Sequence, residues 1–152
     1  MAFKGEPRFG WDPQNGFATC ILSDGKNTFV GQAECAEEDM DMISEKTGCT
    51  IALMRAEIEY YIHVRDNEIL PALKALKQLY YSMNRSKHFN EFSYENKMLR
   101  RQIHQKETDL AVIKQMLNDE KQELKTMIEE KDYFYKRVRA NRSAQADSVG
   151  QN

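Results

Sequence analysis

Glycine is almost confined to the front of this chain of 152 residues. Six of the seven glycines lie in the first 48 residues, and residues 49–149 contain no glycine and a single proline, Pro71. Glycine and proline are the residues that most disfavour helix, and the turns between strands usually need them. The long second part therefore predicts long helices and excludes most sheet-rich architectures, while the front predicts a small module with tight turns. We expect an α+β fold that is mostly α.

Two runs near the front, residues 17–22 and 28–33, are rich in the side chains typical of strands. The five residues between them include Asp24 and Gly25, and an Asp-Gly pair supplies the positive φ angles that tight hairpin turns require. We therefore predict a β-hairpin. Upstream, residues 8–11 fit either a third strand or an ordered loop, because a glycine and a nearby proline weaken the strand pattern.

A short helix is predicted directly after the hairpin, over residues 36–47. Acidic residues crowd its first turn, Lys46 lies in its last turn, and Gly48 occupies the position where a glycine commonly ends a helix. Residues 1–48 then form an acidic β-hairpin and short-helix module with a net charge of −5.

Five acidic side chains around the start of this predicted helix invite comparison with a cation site. They lack the spacing of an EF-hand loop, and a helix N-terminus attracts carboxylates through its dipole alone, so we favour a solvated helix start. The cysteines at positions 20, 35 and 49 match neither a disulfide framework nor a zinc motif. We expect reduced thiols, no metal and no cofactor. The acidic residues are Glu34, Glu37, Glu38, Asp39 and Asp41.

A long helix is predicted over residues 49–84, with Thr50 as its N-cap. Apolar side chains recur through it mostly three or four residues apart, as on one face of a helix. Pro71 lacks a backbone donor, so we expect a kink near residues 67–71, with two abutting helices as the alternative. Residues 85–92 interrupt the pattern with asparagine and serine, which favours a bend there, although the signal also allows a continuous helix.

Residues 93–140 carry a heptad pattern typical of a coiled-coil or bundle helix, and residues 141–152 are predicted to be a disordered tail. Ten of the fourteen a and d positions between Phe92 and Val138 are apolar. A helix of this length extends about 70 Å, which is more than a small core covers. We predict homo-oligomerisation through this stripe, with a monomeric helical hairpin as the alternative. The residues of the stripe are Leu99, Ile103, Leu110, Ile113, Leu117, Leu124, Met127 and Phe134.

No pattern of catalytic residues stands out. The sequence has no Walker, dinucleotide-binding, nucleophile-elbow or zinc-protease motif. The three histidines are scattered, and the i, i+4 pair of Glu59 and His63 is more typical of a surface or packed histidine than of a general base. We therefore expect no catalytic residue and no enzymatic activity.

Two segments are rich in cations, residues 85–106 and residues 133–142. Lysine and arginine bind phosphates, and the aromatic run Tyr133-Phe134-Tyr135 offers rings on which bases could stack. Cations near the end of a helix also complement its dipole, and for the second segment we favour that interpretation. The candidate nucleic-acid contacts are Arg100, Arg101, Lys136, Arg137 and Arg139.

The whole chain has 22 basic and 24 acidic residues, so no overall field draws it to nucleic acid or to a membrane. Its longest aliphatic run has four residues, whereas roughly twenty are needed to span a bilayer. The start of the chain also lacks the apolar core of a secretion signal. We expect a soluble, cytoplasmic protein without membrane contacts.

One part of the chain resembles a known group of proteins. The pattern runs from Thr28-Phe-Val-Gly-Gln-Ala-Glu-Cys35 through Ser44 and Gly48 to Ile51-Ala-Leu-Met-Arg-Ala-Glu-Ile58. Over residues 17–60 it is similar to the N-terminal region of small uncharacterised phage and prophage proteins of Gram-positive bacteria, which pair such a hairpin with a long C-terminal helix. The resemblance implies a phage-type accessory protein in the cytoplasm of a bacterial host, and it implies no activity or site residue.

These patterns lead to two expectations about function. The first is a non-enzymatic accessory protein that homo-oligomerises through its long helices and presents the acidic module to a protein partner, such as a host factor. The alternative is a nucleic-acid-binding accessory protein that uses the basic segments.

Overall fold

A computed structural model describes residues 2–85 and 93–150. The described chain is a mostly helical α+β fold with an N-terminal antiparallel sheet, in agreement with the predicted fold class. Its elements, in chain order, are strands β1 (Arg8–Asp12), β2 (Phe17–Ser23) and β3 (Thr28–Glu34), a 3₁₀ helix (Glu37–Met42), helix α1 (Glu45–His63), a π-helical segment (Val64–Ile69), helix α2 (Leu70–Asn84) and helix α3 (Ser93–Val149).

The three strands form an antiparallel sheet in the order β1-β2-β3. The predicted hairpin of β2 and β3 is confirmed. Its turn has Gly25 at φ +90°, and the Asp24 carboxylate accepts a hydrogen bond of 2.6 Å from the backbone N–H of Asn27. The segment that fitted either a third strand or a loop is strand β1, which pairs with β2 along its whole length.

One face of the sheet is buried in the core and the other is mostly exposed. The buried face carries the alternate side chains of β2, and Ala18, Cys20 and Leu22 are fully inaccessible to solvent. Gly31 of β3 lies opposite Cys20, and a Cβ atom added to it would overlap the carbonyl oxygen of Ala52 in α1. Helix α1 therefore packs with its backbone directly on the sheet, a contact that requires glycine.

The short helix predicted over residues 36–47 is wrong in type and extent. Its first part is the 3₁₀ helix, and Gly48 lies inside α1 and does not end a helix. Ser44, not Thr50, is positioned as the N-cap residue, because its Oγ accepts a hydrogen bond of 3.3 Å from the backbone N–H of Thr47. Gly48 serves close packing, since a Cβ atom added there would press against side chains of the sheet.

The helical run continues past Pro71. The π-helical segment, a wide turn whose hydrogen bonds span five residues, directly precedes α2. Pro71, which has no N–H to donate, lies in the first turn of α2, directly after the π-helical segment. Val64 and Ile69, at the two ends of the π-helical segment, are both buried. The irregularity predicted near residues 67–71 thus takes the form of a widened turn within one helical run.

Helix α3 runs to Val149, so the disordered tail predicted for residues 141–152 is wrong over residues 141–149. The sequence contains no glycine or proline there to stop the helix. Residues 140–150 are all exposed, and the ion pair of Arg142 with Asp41 connects this last part of α3 to the 3₁₀ helix. The bend predicted over residues 85–92 falls, after its first residue, outside the described residues.

The chain divides into two compact units. The sheet unit contains Phe3–Ile58 and the chain from Glu120 onward, so it comprises the sheet, the 3₁₀ helix, most of α1 and the second part of α3. The helical unit is Glu59–Asp119, with the π-helical segment, α2 and the first part of α3. These units differ from the consecutive segments predicted from the sequence because α1 and α3 contribute to both.

Helices α2 and α3 run antiparallel within the helical unit. Arg100 Nε donates a hydrogen bond of 3.2 Å to the Tyr80 hydroxyl, and Lys77 Nζ lies 2.9 Å from Glu107 Oε1. The residue numbers fall along α2 as they rise along α3, which is the signature of an antiparallel pair.

Candidate binding surfaces

The residues predicted to mediate homo-oligomerisation are mostly covered by their own chain. Ile113 is fully buried, Leu117 is 3% exposed, and Leu99 is buried as well. Phe134 is 58% exposed. The other four are partly buried: Ile103, Leu110, Leu124 and Met127. Homo-oligomerisation stays a prediction, and the apolar stripe leaves little surface for a second copy.

Three acidic residues of the 3₁₀ helix, Glu38, Asp39 and Asp41, are paired with the second basic segment inside the sheet unit. Arg139 Nη1 lies 2.6 Å from Glu38 Oε1 and 3.5 Å from Asp39 Oδ1. Arg142 forms an ion pair with Asp41. Arg139, which the sequence suggested as a nucleic-acid contact, therefore pairs with two of the five acidic residues, Glu38 and Asp39, about 100 residues earlier in the chain.

Asp39 is the buried member of this cluster, with 7% of its surface exposed. Its Oδ1 lies near the Arg139 guanidinium but accepts no hydrogen bond from the described residues. The nearby Tyr135 hydroxyl donates a hydrogen bond of 3.2 Å to the carbonyl oxygen of Met42. These contacts attach the 3₁₀ helix to the second part of α3.

Two carboxyl groups meet elsewhere in the sheet unit, where Glu120 of α3 is hydrogen-bonded to Glu57 of α1. Burial, and then the charge and hydrogen bond of Glu57, raise the pKa of Glu120 to about 7, with a smaller contribution from the charge of Glu123. Below a pH of about 7 Glu120 therefore keeps its proton, whereas an ordinary glutamate is ionised well below that pH. The stability of the sheet unit should therefore depend on pH through this pair.

The three cysteines are free thiols. Burial, with smaller contributions from Glu57 and Cys49, raises the pKa of Cys20 to about 11. Burial also raises the pKa of Cys35 and of Cys49. At neutral pH these residues therefore carry thiols and not the thiolates that act as nucleophiles or metal ligands.

Most of the described cations of the first basic segment are exposed on the helical unit. Residues 70–106 contain eight lysines and arginines against two glutamates. Within the part of the chain that the structure describes, five of these cations are exposed and have no ion-pair partner. We call them the basic surface: Lys74, Arg85, Lys97, Arg100 and Arg101.

Two exposed tyrosines accompany the basic surface, and the apolar periodicity of the sequence does not reveal them. Tyr81 is 56% exposed and Tyr94 is 70% exposed. The Tyr81 ring packs edge-on against Tyr80, with 5.8 Å between the ring centroids. The sequence does contain a signal for them, because aromatic residues alternate with an excess of cations over residues 70–106. The basic segment that begins at residue 85 leaves out Tyr81.

The predicted nucleic-acid contacts are thus divided between the two units. Arg100 and Arg101 belong to the basic surface of the helical unit. Lys136 and Arg137 are exposed on the sheet unit, where the described residues provide no ion-pair partner for them. Arg139 is engaged by the acidic cluster.

Comparisons with known proteins identify no relative of this chain. No family model matches the chain, and neither the curated proteins nor the solved structures contain a match. The resemblance to phage proteins therefore stays a prediction. None of the helices in the described residues combines the length and the apolar character that a bilayer crossing demands.

Proposed function

We propose that this protein is a non-enzymatic accessory protein that binds nucleic acid through the basic surface of its helical unit. The observation that carries the proposal is the charge of residues 70–106, eight cations against two glutamates, combined with the exposure of the five cations of the basic surface. Exposed cations that no carboxylate of the described residues engages can bind phosphates without first breaking such an ion pair, and release of counterions then favours the complex.

The other candidate surfaces are less available to a ligand. Glu38, Asp39 and Asp41 are engaged by arginines of the same chain, so a partner of the acidic module would have to compete with these ion pairs. The apolar stripe of α3 is largely buried. For these reasons we rank nucleic acid above a protein partner of the acidic module.

A salt titration of binding to double-stranded DNA tests the proposal. Substitution of Lys97, Arg100 and Arg101 by Gln removes three cations of the basic surface. Each lost phosphate contact lowers the slope of log K against log salt concentration by about 0.9, so a slope smaller by roughly 2 to 3 is expected. Absence of binding by the parent protein at low salt, to single-stranded as well as to double-stranded DNA, would overturn the proposal.

A matched control is available on the sheet unit. Lys136→Gln together with Arg137→Gln removes two exposed cations from the second basic segment, and we expect this variant to keep the parent's affinity and salt slope. If the control loses binding and the triple variant does not, the contact surface is the second segment and the basic surface is not the site.

A second candidate function is self-association combined with binding of a protein partner. The adjacent exposed rings of Tyr133 and Phe134 on α3 favour it, because exposed aromatic residues are enriched at interfaces. Equilibrium sedimentation tests this candidate, and a strictly monomeric species at micromolar concentrations would remove it. For both candidates we propose a phage-type role in the cytoplasm of a bacterial host, which rests on the resemblance of residues 17–60.

A further inference from the structure

On helix α2, an exposed aromatic ring lies between two cations of the basic surface. Tyr81 follows Lys74 by seven residues and precedes Arg85 by four. At 3.6 residues per turn, about 100° per residue, these spacings place all three residues on one face of α2. All three are exposed in the helical unit.

Helix α3 repeats the arrangement. Tyr94 precedes Lys97 by three residues and Arg101 by seven, which again places a tyrosine and two cations on one helix face. Tyr94 also lines an open groove between α2 and α3, beside Leu79 and Met98. Both helices of the antiparallel pair therefore carry an exposed ring next to exposed cations.

The ring on α2 has a fixed support. Tyr81 packs against Tyr80, and the Tyr80 hydroxyl accepts a hydrogen bond from Arg100 of α3 and is hydrogen-bonded to Asn84. These two hydrogen bonds lower the pKa of Tyr80. A ring that is already held by its neighbours loses less conformational freedom when a ligand stacks on it.

We propose that the basic surface binds single-stranded nucleic acid in preference to duplex, with bases stacked on Tyr81 and Tyr94 and phosphates bound by the neighbouring cations. This inference rests on the proposed function and names the ligand class of the same surface. A duplex offers its phosphates but keeps the faces of its bases inside the stack, whereas a single strand offers both to a surface that carries rings and cations.

Parallel titrations of the parent protein with a single-stranded oligonucleotide and with a duplex of the same length test the inference. We expect tighter binding of the single strand. Tyr81→Ala and Tyr94→Ala should each weaken single-strand binding about tenfold, because stacking on an aromatic side chain supplies that order of affinity. Neither should change duplex binding, and Tyr81→Phe should keep the parent's affinity because it keeps the ring.

Tyr133→Ala is the matched control, since Tyr133 is 65% exposed on α3 but belongs to the sheet unit. We expect it to bind like the parent, and circular dichroism should report the same helix content for all four variants. Equal affinity for both ligands, or a single-strand affinity that the Tyr81 and Tyr94 substitutions leave unchanged, would overturn the inference and leave the proposed function standing. Absence of binding to either ligand at low salt would overturn both.

Discussion

At Gly31 the sheet and the backbone of α1 leave no room for a methyl group. A Cβ atom there would overlap the carbonyl oxygen of Ala52 and lie 2.5 Å from the backbone nitrogen of Ala56, and neither can rotate away as a side chain could. We expect Gly31→Ala to lower the free energy of unfolding by about 3 kcal/mol. Chemical denaturation followed by circular dichroism measures this.

Gly10 is the matched control for Gly31. It also lies in a strand, but the nearest atom to a Cβ added there is Thr19 Cβ at 3.9 Å, an ordinary contact distance. Gly10→Ala should change the free energy of unfolding by less than about 0.5 kcal/mol. Similar losses for the two variants would contradict the close approach of α1 to Gly31.

Glu120 makes the stability of the protein depend on pH. Its pKa is about 7 in the folded chain against an ordinary value of 4.5, so between these pH values the folded protein keeps a proton that the unfolded chain has released. Raising the pH through this window therefore lowers the free energy of unfolding. We expect Glu120→Gln, which cannot ionise, to flatten this fall, as measured by thermal unfolding at pH values from 5 to about 8.

Glu130→Gln provides the comparison for this pH series. Glu130 is exposed on the same helix, and its substitution should leave the pH profile of the parent unchanged. A parent profile with no fall between pH 5 and about 7 would contradict the raised pKa of Glu120.

At the scale of elements, the hairpin could be predicted because its signals are local. Asp24 and Gly25 form the turn, and the strand residues lie beside them in sequence. The 3₁₀ helix could not be predicted in the same way. Its acidic residues resemble an ordinary helix start, and the arginines that hold them, Arg139 and Arg142, come from a helix 101 residues further along the chain.

The two arginines should differ in their importance for the 3₁₀ helix. Arg139 lies beside Asp39, whose side chain is only 10% exposed, whereas Arg142 and Asp41 are both about half exposed. We expect Arg139→Gln to lower the melting temperature by several degrees, because it leaves a buried carboxylate without its cation. Arg142→Gln should lower it by about 1 °C or less, since solvent screens an exposed ion pair.

Thermal unfolding at low and high salt distinguishes the two pairs further. The small effect of Arg142→Gln should disappear at high salt, while most of the effect of Arg139→Gln should persist because its partner is shielded from solvent. Equal melting temperatures for the two variants would contradict the assignment of Asp39 as the buried member.

At the scale of the whole molecule, the heptad pattern of α3 correctly predicts a long helix. It does not identify whether the apolar stripe of this helix packs against the same chain or against a second copy. Ile113 and Leu117 fit a stripe for a second chain as well as they fit one covered by the same chain. The choice depends on contacts between elements that are distant in sequence. Leu117→Lys is therefore a poor probe of association, because it would place a charge at a position only 3% exposed.

Phe134 provides a cleaner test of self-association. It is 58% exposed, so Phe134→Ser should leave the fold intact while removing apolar surface from any contact between copies. If the protein self-associates through this part of α3, sedimentation should report a dimer or larger species for the parent and a weaker association constant for the variant. Parent and variant with the same association constant would exclude Phe134 from the interface.

The π-helical segment has a consequence for how this helical run tolerates changes in length. Val64 and Ile69 are five residues apart, one more than an α-helical turn needs to return to the same face. Deleting one residue between them would convert the wide turn into an α-helical turn and keep both side chains on the buried face. A deletion in the regular part of α1 or α2 would instead rotate the following residues by about 100°. If related chains have a long helix that is one residue shorter, we therefore expect the missing residue to lie in this wide turn.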